Sequence, residues 1–421
     1  MEVLKIEGGH KINGQINAQG CKNAILPILA ATILNNGSSK IYNYPKISDV
    51  YFSLDILKHL GCEIFLTPEY LQINSIRLKN YDIPENLMHK MRSSIIFLGA
   101  IISRFQHAVI SYPGGCELGP RPVDLHLKAF KSLGVDINES HGFIECLADK
   151  IKCRNIHLDF PSVGATENIM LISALSKGIT IISNAAKEPE ILDLQQFLNS
   201  MGANIRGAGT DTVKIVGVKN MHDTEYTVMP DRIAIFTYLV FAAITGGSIQ
   251  IDNVNIAHIN SMLSLLQECN CKIIAKDNKV ILESLGRIRS LDHIRTMPYP
   301  GFPTDAQAPL IALLSIADGA SIVSENIFES RFNHIEELIR MGADITVSGK
   351  TAIIRGVNSL SGAKVTAPDL RGGAALIAAG LSANGITEIA HLTHIDRGYE
   401  SIKENLSKLS VKAERSQYFE R

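Results

Sequence analysis

A single thiol stands in a segment that cannot form regular secondary structure. In SYPGGCELGPRPVDLH, residues 111–126, Cys116 shares sixteen residues with three glycines and three prolines, which prevent a continuous helix or a central strand. We expect a surface loop that can change shape, and such loops carry function more often than packing. A thiol with an ordinary pKa of about 8.5 is mostly protonated at neutral pH, so Cys116 could donate a proton.

Charged and polar residues also lie at the start of six strongly apolar segments. These segments are too apolar for a solvent-facing helix, so each is predicted to be a buried helix. Aspartate is common as a helix cap, and capping alone remains an alternative at any single position. Arginine is unfavourable near the positive end of a helix dipole unless an anion binds there, so the set indicates an anion site. The opening residues are Lys22, Asn23, Arg92, Thr166, Glu167, Asp231, Arg232, Asp305, Asp369 and Arg371.

The elements that position these residues repeat along the chain. A short sequence motif, seen in LKHLGCEI and ELIRMGADI, predicts the last turn of a helix, a C-cap residue and then a strand. It occurs six times, with separations of 73, 68, 68, 72 and 68 residues. Each copy contains two helices and several strands, so three copies per domain would give two domains of about 200 residues. The marker residues are Gly61, Gly134, Gly202, Asn270, Gly342 and Ser410.

Composition narrows the functional class. The 421 residues are 46% hydrophobic and 20% charged, with a net charge of −1, which is typical of a globular protein and argues against nucleic acid or an anionic membrane as partner. The N-terminus has no apolar signal region and no stretch reaches the length of a membrane span, so we expect a cytoplasmic protein. Seven cysteines without C-x-x-C spacing indicate neither a disulfide framework nor a zinc site.

A series of motifs is spread from residue 20 to beyond residue 400. The motifs are GCKNAILPILAA, MRSSIIFLGA, PGGCELGPRPVDLHL, SVGATENIM, EPEI, MPDRIAIFTYL, FPTDAQAP, ENIFESRFNHIEEL, DLRGGAAL and HIDRGYESI. Together they resemble the UDP-N-acetylglucosamine 1-carboxyvinyltransferase family. The resemblance implies transfer of the enolpyruvyl group of phosphoenolpyruvate to the 3′-hydroxyl of UDP-N-acetylglucosamine, the first committed step of peptidoglycan synthesis.

The same resemblance implies the architecture. It predicts an α/β protein, a two-domain inside-out α/β barrel of six βαβαββ-type units, three per domain. Residues 22–229 would form the first domain, with a catalytic loop at about 111–126. Residues 1–21 and 230–421 would form the second, with the active site between the domains.

The resemblance also assigns roles to individual residues. Lys22, Arg121 and Arg397 match positions around the phosphate of phosphoenolpyruvate, and Arg331 and Arg371 match positions near its carboxylate and the reacting centre. Arginine suits both groups because its planar fork of donors binds them in pairs.

Proton transfer is assigned to two further residues. Cys116 would deliver a proton to the methylene carbon of phosphoenolpyruvate from a loop that closes over the substrates. Asp305 would accept the proton of the sugar hydroxyl, with Asp369 as the alternative acceptor. A helix N-cap is the structural alternative for Asp305.

Binding of the nucleotide sugar is assigned to nine positions. No metal, cofactor or obligate protein partner is implied, and His126 and His394 are interpreted as supporting hydrogen-bonding groups. The nine positions are Asn23, Arg92, Arg121, Pro122, Val123, Asp124, Leu125, Asp305 and Ile327.

The sequence departs from the family pattern in two places. Cys21 stands where alanine is common and could be a second reactive thiol or could simply pack. Phe160 and Pro161 precede SVGAT where some members have a lysine, so a uracil contact by that lysine is not carried over.

Two other functions remain open from the sequence. A 3-phosphoshikimate 1-carboxyvinyltransferase would share the fold and the donor, but the chain has GCKNAILP where that family has a GSKS-type motif. A non-catalytic protein that binds a nucleotide sugar would not need Cys116 and Asp305 together with the arginines.

Overall fold

The computed structural model describes residues 2–112 and 123–417, which divide into two compact units. The first unit consists of residues 20–112 and 123–229, and the second of residues 2–19 and 230–417. Each unit has its own hydrophobic core, built almost entirely from aliphatic side chains and phenylalanine.

The strands of the described residues are short and evenly spaced. In chain order they are β1 (Glu2–Glu7), β2 (Asn13–Asn17), β3 (Ser38–Tyr42), β4 (Glu63–Leu66), β5 (Tyr70–Asn74), β6 (Asp82–Ile83), β7 (His107–Ser111), β8 (Asp136–Ser140), β9 (Phe143–Leu147), β10 (Asn155–His157), β11 (Ile179–Ser183), β12 (Asn204–Arg206), β13 (Thr212–Val216), β14 (Thr224–Thr227), β15 (Ser248–Asp252), β16 (Cys271–Lys276), β17 (Lys279–Ser284), β18 (His293–Arg295), β19 (Ala320–Ser324), β20 (Asp344–Ser348), β21 (Thr351–Arg355), β22 (Lys364–Thr366), β23 (Ile386–Ala390) and β24 (Ala413–Gln417).

These strands form six four-stranded sheets of the same design. In every sheet one outer strand pairs parallel with its neighbour, and the other two pairings are antiparallel. In the first unit the sheets are β14-β3-β5-β4, β6-β7-β9-β8 and β10-β11-β13-β12. In the second unit they are β16-β17-β15-β2, β18-β19-β21-β20 and β22-β23-β1-β24. The six predicted repeats are thus confirmed, each as one sheet with its helices.

Fourteen α-helices connect the strands of the described residues. They are α1 (Lys22–Ala31), α2 (Ser48–Leu60), α3 (Glu85–Met88), α4 (Phe97–Phe105), α5 (Asp124–Ser132), α6 (Val163–Ser173), α7 (Pro189–Ser200), α8 (Arg232–Ile244), α9 (Asn260–Glu268), α10 (Gln307–Leu314), α11 (Ile335–Arg340), α12 (Leu370–Ser382), α13 (Leu392–Asp396) and α14 (Ile402–Lys408).

The buried helices lie inside each unit and the sheets lie outside. All thirteen residues of α8 and all eight of α10 are buried, whereas the strands alternate buried and accessible residues, as in β17. In the second unit α8, α10 and α12 pack against one another, and in the first unit α4 packs against α1 and α6. This arrangement of apolar helices covered by half-exposed sheets is the predicted inside-out α/β fold.

The six marker residues all adopt the left-handed backbone conformation predicted for a helix C-terminus. Their φ angles are 107° at Gly61, 84° at Gly134, 97° at Gly202, 73° at Asn270, 95° at Gly342 and 63° at Ser410. Glycine and asparagine tolerate this conformation best, which explains their recurrence every 68 to 73 residues.

Two local predictions need correction. The helices expected to open at Arg92 and at Asp305 begin with the 3₁₀ turns Arg92–Ile96 and Thr304–Ala306. The prediction of a loop over residues 111–126 is wrong at both ends, because Ser111 is the last residue of β7 and residues 124–126 belong to α5. The acidic first residue of α5 suits the helix dipole. Within the described parts of the chain, none of the helices has the length and apolar character that a membrane crossing requires.

Candidate active site

Three predicted site residues of the second unit meet in one cluster. Arg331 Nη2 donates to Asp305 Oδ1 at 2.7 Å, and Arg371 Nη2 donates to Asp305 Oδ2 at 3.0 Å. Both arginine side chains are 3% exposed, whereas the Asp305 side chain is 25% exposed. The carboxylate therefore reaches solvent while the guanidinium groups that hold it are buried.

The two arginines set the charge of Asp305. Burial alone would raise the pKa of this carboxyl, but Arg371 and Arg331 outweigh burial and hold the pKa well below its usual range. Asp305 is ionised at neutral pH. The cluster carries a net positive charge, which suits an incoming anion.

The first turn of α12 fixes the position of Arg371. Asp369 Oδ1 accepts hydrogen bonds from the backbone N–H of Arg371 at 2.8 Å and of Gly372 at 2.9 Å, so Asp369 is the N-cap. Capping was the alternative interpretation of Asp305, but no side chain caps α10, and the Asp305 carboxylate faces the arginines instead.

Two buried neighbours support this turn. Arg371 Nη1 donates to the hydroxyl of Tyr399 at 3.2 Å, which also hydrogen-bonds Thr237 at 2.9 Å. A side chain at Gly372 would place its Cβ 3.0 Å from the Cβ of His334. Any residue other than glycine would therefore require the neighbouring atoms to move. Burial lowers the pKa of His334 to about 4, and this ring is neutral at neutral pH.

Lys22 of the first unit lies at the start of α1. Its ammonium group pairs with the buried carboxylate of Asp49 at 2.9 Å, and the lysine side chain is 11% exposed. Cys21, the N-cap residue, is buried, and its Sγ lies 3.8 Å from Glu190 Oε1. The burial of Cys21 fits the packing role among the two alternatives.

The residues assigned to the nucleotide sugar fall on several elements. Asn23 is the second residue of α1, Val123 precedes α5, and Asp124 and Leu125 open that helix. The partly buried Ile327 donates its backbone N–H to Glu325 at 2.8 Å.

His126 makes the supporting hydrogen bond expected of it. Its Nδ1 lies 2.8 Å from Asn168 Nδ2, and the ring is buried. Arg92 begins a 3₁₀ turn, and Arg397 follows α13 as a partly buried residue. Cys116, Arg121 and Pro122 lie outside the described residues, so their predicted roles stay predictions.

Curated relatives share nearly the whole length of the chain. A UDP-N-acetylglucosamine 1-carboxyvinyltransferase 2 of Caldanaerobacter subterraneus subsp. tengcongensis is 51% identical, over 98% of this chain and 99% of the relative. A UDP-N-acetylglucosamine 1-carboxyvinyltransferase of Geobacter metallireducens is 46% identical, over 99% of each. This chain belongs to their family. The family model for EPSP synthase (3-phosphoshikimate 1-carboxyvinyltransferase) also matches residues 6–406.

Solved structures share the fold of this family member at low sequence identity. The enolpyruvyl transferase NikO from Streptomyces tendae superimposes with a TM-score of 0.90 at 22% identity, over 99% of each chain. An EPSP synthase from Acinetobacter baumannii gives a TM-score of 0.77 at 17% identity, over 99% of this chain and 100% of that one. At these identities the likeness concerns the fold.

The structure adds residues that the sequence analysis of this family member missed. Asp49, Tyr399 and Glu325 each contact a predicted site residue or its backbone. Tyr399 lies in the motif HIDRGYESI and Glu325 in the motif ENIFESRFNHIEEL. Both residues therefore belong to the family motifs, but the sequence analysis assigned no role to either. In the ranges 2–112 and 123–417, no three histidine, cysteine, aspartate or glutamate side chains group as possible metal ligands.

Proposed function

We propose that this chain transfers the enolpyruvyl group of phosphoenolpyruvate to the 3′-hydroxyl of UDP-N-acetylglucosamine and releases phosphate. The observation that carries the proposal is 51% identity, over 98% of the chain, to a relative with that name. The reaction would serve peptidoglycan synthesis in the cytoplasm as its first committed step. Its substrates are small molecules.

The arginine cluster supports this function by its charge. Phosphoenolpyruvate carries a phosphate and a carboxylate, and both groups match the donor fork of arginine. Arg331 and Arg371 bind the carboxylate near the reacting centre. Lys22, Arg121 and Arg397 bind the phosphate and stabilise the charge that develops when it leaves.

The reaction proceeds by addition and then elimination. In the addition, Cys116 gives a proton to the methylene carbon C3, and the sugar oxygen forms a bond to C2 while its proton passes to Asp305. In the elimination, the Cys116 thiolate formed in the addition takes a proton from C3, the C–H electron pair re-forms the C2–C3 double bond, and the bond from C2 to the phosphate oxygen breaks. The proton held by Asp305 then leaves to solvent. The products are the enolpyruvyl ether and free phosphate, so atoms and charges balance.

The hydrogen bonds of Asp305 suggest how it gains basicity. With both oxygens held by arginine, the pKa of Asp305 lies well below its usual range, and the carboxylate is a weak base. An incoming carboxylate competes for the same donors. Binding of phosphoenolpyruvate therefore weakens the hold on Asp305 and raises its pKa, which prepares it to accept a proton.

The nucleotide sugar is bound by the positions that the family resemblance assigns. Asp305 contacts its 3′-hydroxyl, and Asp369 holds the backbone that carries Arg371. The remaining positions are Asn23, Arg92, Arg121, Pro122, Val123, Asp124, Leu125 and Ile327. Because the family resemblance assigns Cys116 to the site that binds phosphoenolpyruvate, we also propose that fosfomycin, an epoxide mimic of that substrate, alkylates it.

Phosphate release tests the proposed function. The purified protein is incubated with phosphoenolpyruvate plus either UDP-N-acetylglucosamine or shikimate 3-phosphate, and each component is omitted in turn. Release that requires the nucleotide sugar supports the proposal. Release only with shikimate 3-phosphate, or nucleotide-sugar binding without any release, would refute it in favour of the sister enzyme or of a non-catalytic binder.

A further inference from the structure

Glu325, directly after β19, accepts an unusually large number of hydrogen bonds for a buried carboxylate. Oε1 accepts from Thr296 Oγ1 at 3.0 Å and from the backbone N–H groups of Ile327 at 2.8 Å and Phe328 at 3.0 Å. Oε2 accepts from Thr304 Oγ1 at 2.9 Å and Gln307 Nε2 at 2.7 Å. Glu325 is 1% exposed, and all five donors are neutral groups.

These donors flank the residues assigned to catalysis and to sugar binding. Thr304 immediately precedes Asp305, and Ile327 is itself an assigned contact of the nucleotide sugar. The ring of Phe328 lies 5.1 Å from the guanidinium carbon of Arg331, which in turn donates to Asp305. One carboxylate therefore ties the Thr304–Ala306 turn to the segment that follows β19.

Two of these five bonds are local, since Ile327 and Phe328 follow Glu325 by two and three residues. The other three donors are 29, 21 and 18 residues away along the chain. The Thr304–Ala306 turn needs no side-chain acceptor for its backbone, since its own N–H and C=O groups form the turn. The Ile327 and Phe328 amides belong to no helix or strand, and Glu325 is the acceptor that orients them. Charge-assisted hydrogen bonds are about twice as strong as neutral ones, so this carboxylate can hold two irregular segments in one arrangement.

We propose that Glu325 is a positioning residue for the transfer reaction, one that sets Asp305 and Ile327 relative to each other. This inference rests on the proposed function and deepens it. Glu325 touches no reacting atom. It acts through the backbone of Ile327 and Phe328 and through the hydroxyl of Thr304.

Glu325→Gln is the first test variant because it keeps the volume and replaces one acceptor oxygen by a donor. At the Oε1 position the new NH2 group would lose the bonds from the Ile327 and Phe328 N–H groups, which can only donate. At the Oε2 position it would keep those bonds, but the negative charge that strengthens all five would be gone. We expect kcat to fall and the KM for UDP-N-acetylglucosamine to rise, each by about tenfold, because small misplacements of reacting groups are costly. Thr304→Val removes only the bond beside Asp305, and we expect it to lower kcat with little effect on KM.

Ser315→Ala is the matched control. Ser315 is fully buried in the same unit as the residue that follows α10, and its hydroxyl donates to Ile311 O at 2.8 Å. Its loss should lower the melting temperature and leave both kinetic constants within about twofold. If Glu325→Gln loses stability like Ser315→Ala but keeps wild-type kcat and KM, the inference is wrong. If Glu325→Gln does not fold, unchanged kcat in Thr304→Val overturns the inference.

Hydrogen exchange of the ligand-free protein separates this inference from the proposed function. We expect faster exchange at the amides of residues 304–307 and 326–328 in Glu325→Gln and wild-type exchange there in Ser315→Ala. A wild-type protein that releases no phosphate would refute the proposed function. Unchanged exchange in Glu325→Gln would refute the positioning role of Glu325.

Discussion

Arg371 and Asp305 are joined by two hydrogen bonds to one oxygen, from Nη2 at 3.0 Å and from Nε at 3.3 Å. Arg331 holds the other oxygen at 2.7 Å. The two guanidinium groups that hold the pKa of Asp305 low are also donors of the kind that bind carboxylates and phosphates. In the proposed reaction, proton acceptance by Asp305 and binding of the substrate carboxylate would be coupled through the same two guanidinium groups.

Replacement of Asp305 by asparagine should separate catalysis from binding. Asp305→Asn keeps the shape but cannot accept the proton of the sugar hydroxyl, so we expect kcat to fall by about 10² or more. Calorimetry should show binding of UDP-N-acetylglucosamine within a few fold of wild type. Asp344→Asn, which removes the exposed partner of Arg355, is the control. Wild-type phosphate release by Asp305→Asn would remove Asp305 from the role of base.

Loss of the Tyr399 hydroxyl should affect phosphoenolpyruvate more than the sugar. Tyr399→Phe leaves a donor of the buried Arg371 without its acceptor, which costs about 1–3 kcal/mol in unfolding free energy. We expect the KM for phosphoenolpyruvate to rise about three- to tenfold, because Arg371 loses a fixed orientation.

Tyr238→Phe is the matched control for Tyr399→Phe. Tyr238 is buried in α8, and its hydroxyl accepts from Asn405 at 3.0 Å. Steady-state kinetics with thermal unfolding compares the two variants. An equal loss of stability with no change of KM in either variant would contradict the role given to Tyr399.

Asp49 should matter because it is the buried partner of Lys22. Asp49→Asn removes the negative charge that lies 2.9 Å from the ammonium group of Lys22, and breaking a buried ion pair costs about 3–5 kcal/mol. We expect a lower melting temperature and weaker binding of phosphoenolpyruvate. Asp55→Asn on the same helix removes an exposed pair with Lys90 at 3.5 Å and should change neither quantity. An Asp49→Asn protein with wild-type affinity for phosphoenolpyruvate would disprove this dependence of Lys22 on Asp49.

Protonation of His126 should weaken the fold in mild acid. Burial lowers its pKa from 6.5 to about 4, so between these values the unfolded chain binds a proton that the folded chain does not. Stability from the neutral ring is present above pH 6.5 and is lost as the pH falls towards 4, by up to about 3 kcal/mol. Denaturant unfolding from pH 4 to pH 7 should show that the free energy of unfolding depends less steeply on pH in His126→Gln than in the wild type. The control variant His157→Gln, at an exposed position, should keep the pH dependence of the wild-type unfolding free energy.

Fosfomycin should add to a single thiol. The Cys116 sulfur attacks an epoxide carbon, the ring C–O bond breaks and the oxygen takes a proton, so the mass rises by one whole inhibitor molecule. Cys21, Cys62, Cys146, Cys269 and Cys271 are buried, and the partly exposed Cys153 is the competing site. Peptide mapping with and without UDP-N-acetylglucosamine, with Cys116→Ala as control, locates the adduct. Modification at Cys153 alone would count against the assignment of Cys116.

The sequence by itself determined the repeating architecture. The residues at each helix C-terminus, such as Gly61 and Ser410, and the six apolar helices recur at nearly constant spacing, and both are local properties of the backbone and of hydrophobic patterning. The motif series also predicted Asp305, Arg331 and Arg371 as site residues, and the structure brings these three side chains into contact.

Only the tertiary structure decided which partners these residues have. Asp305 is 26 residues from Arg331 and 66 from Arg371, and Lys22 pairs with Asp49 from another helix. No local pattern distinguishes the capping carboxylate of Asp369 from the arginine-bound carboxylate of Asp305, since both stand near the start of a buried helix. Their roles differ because Asp369 accepts from the backbone N–H groups two and three residues along its own helix. Asp305 instead receives the buried guanidinium groups of Arg331, from the same repeat, and of Arg371, from the next repeat.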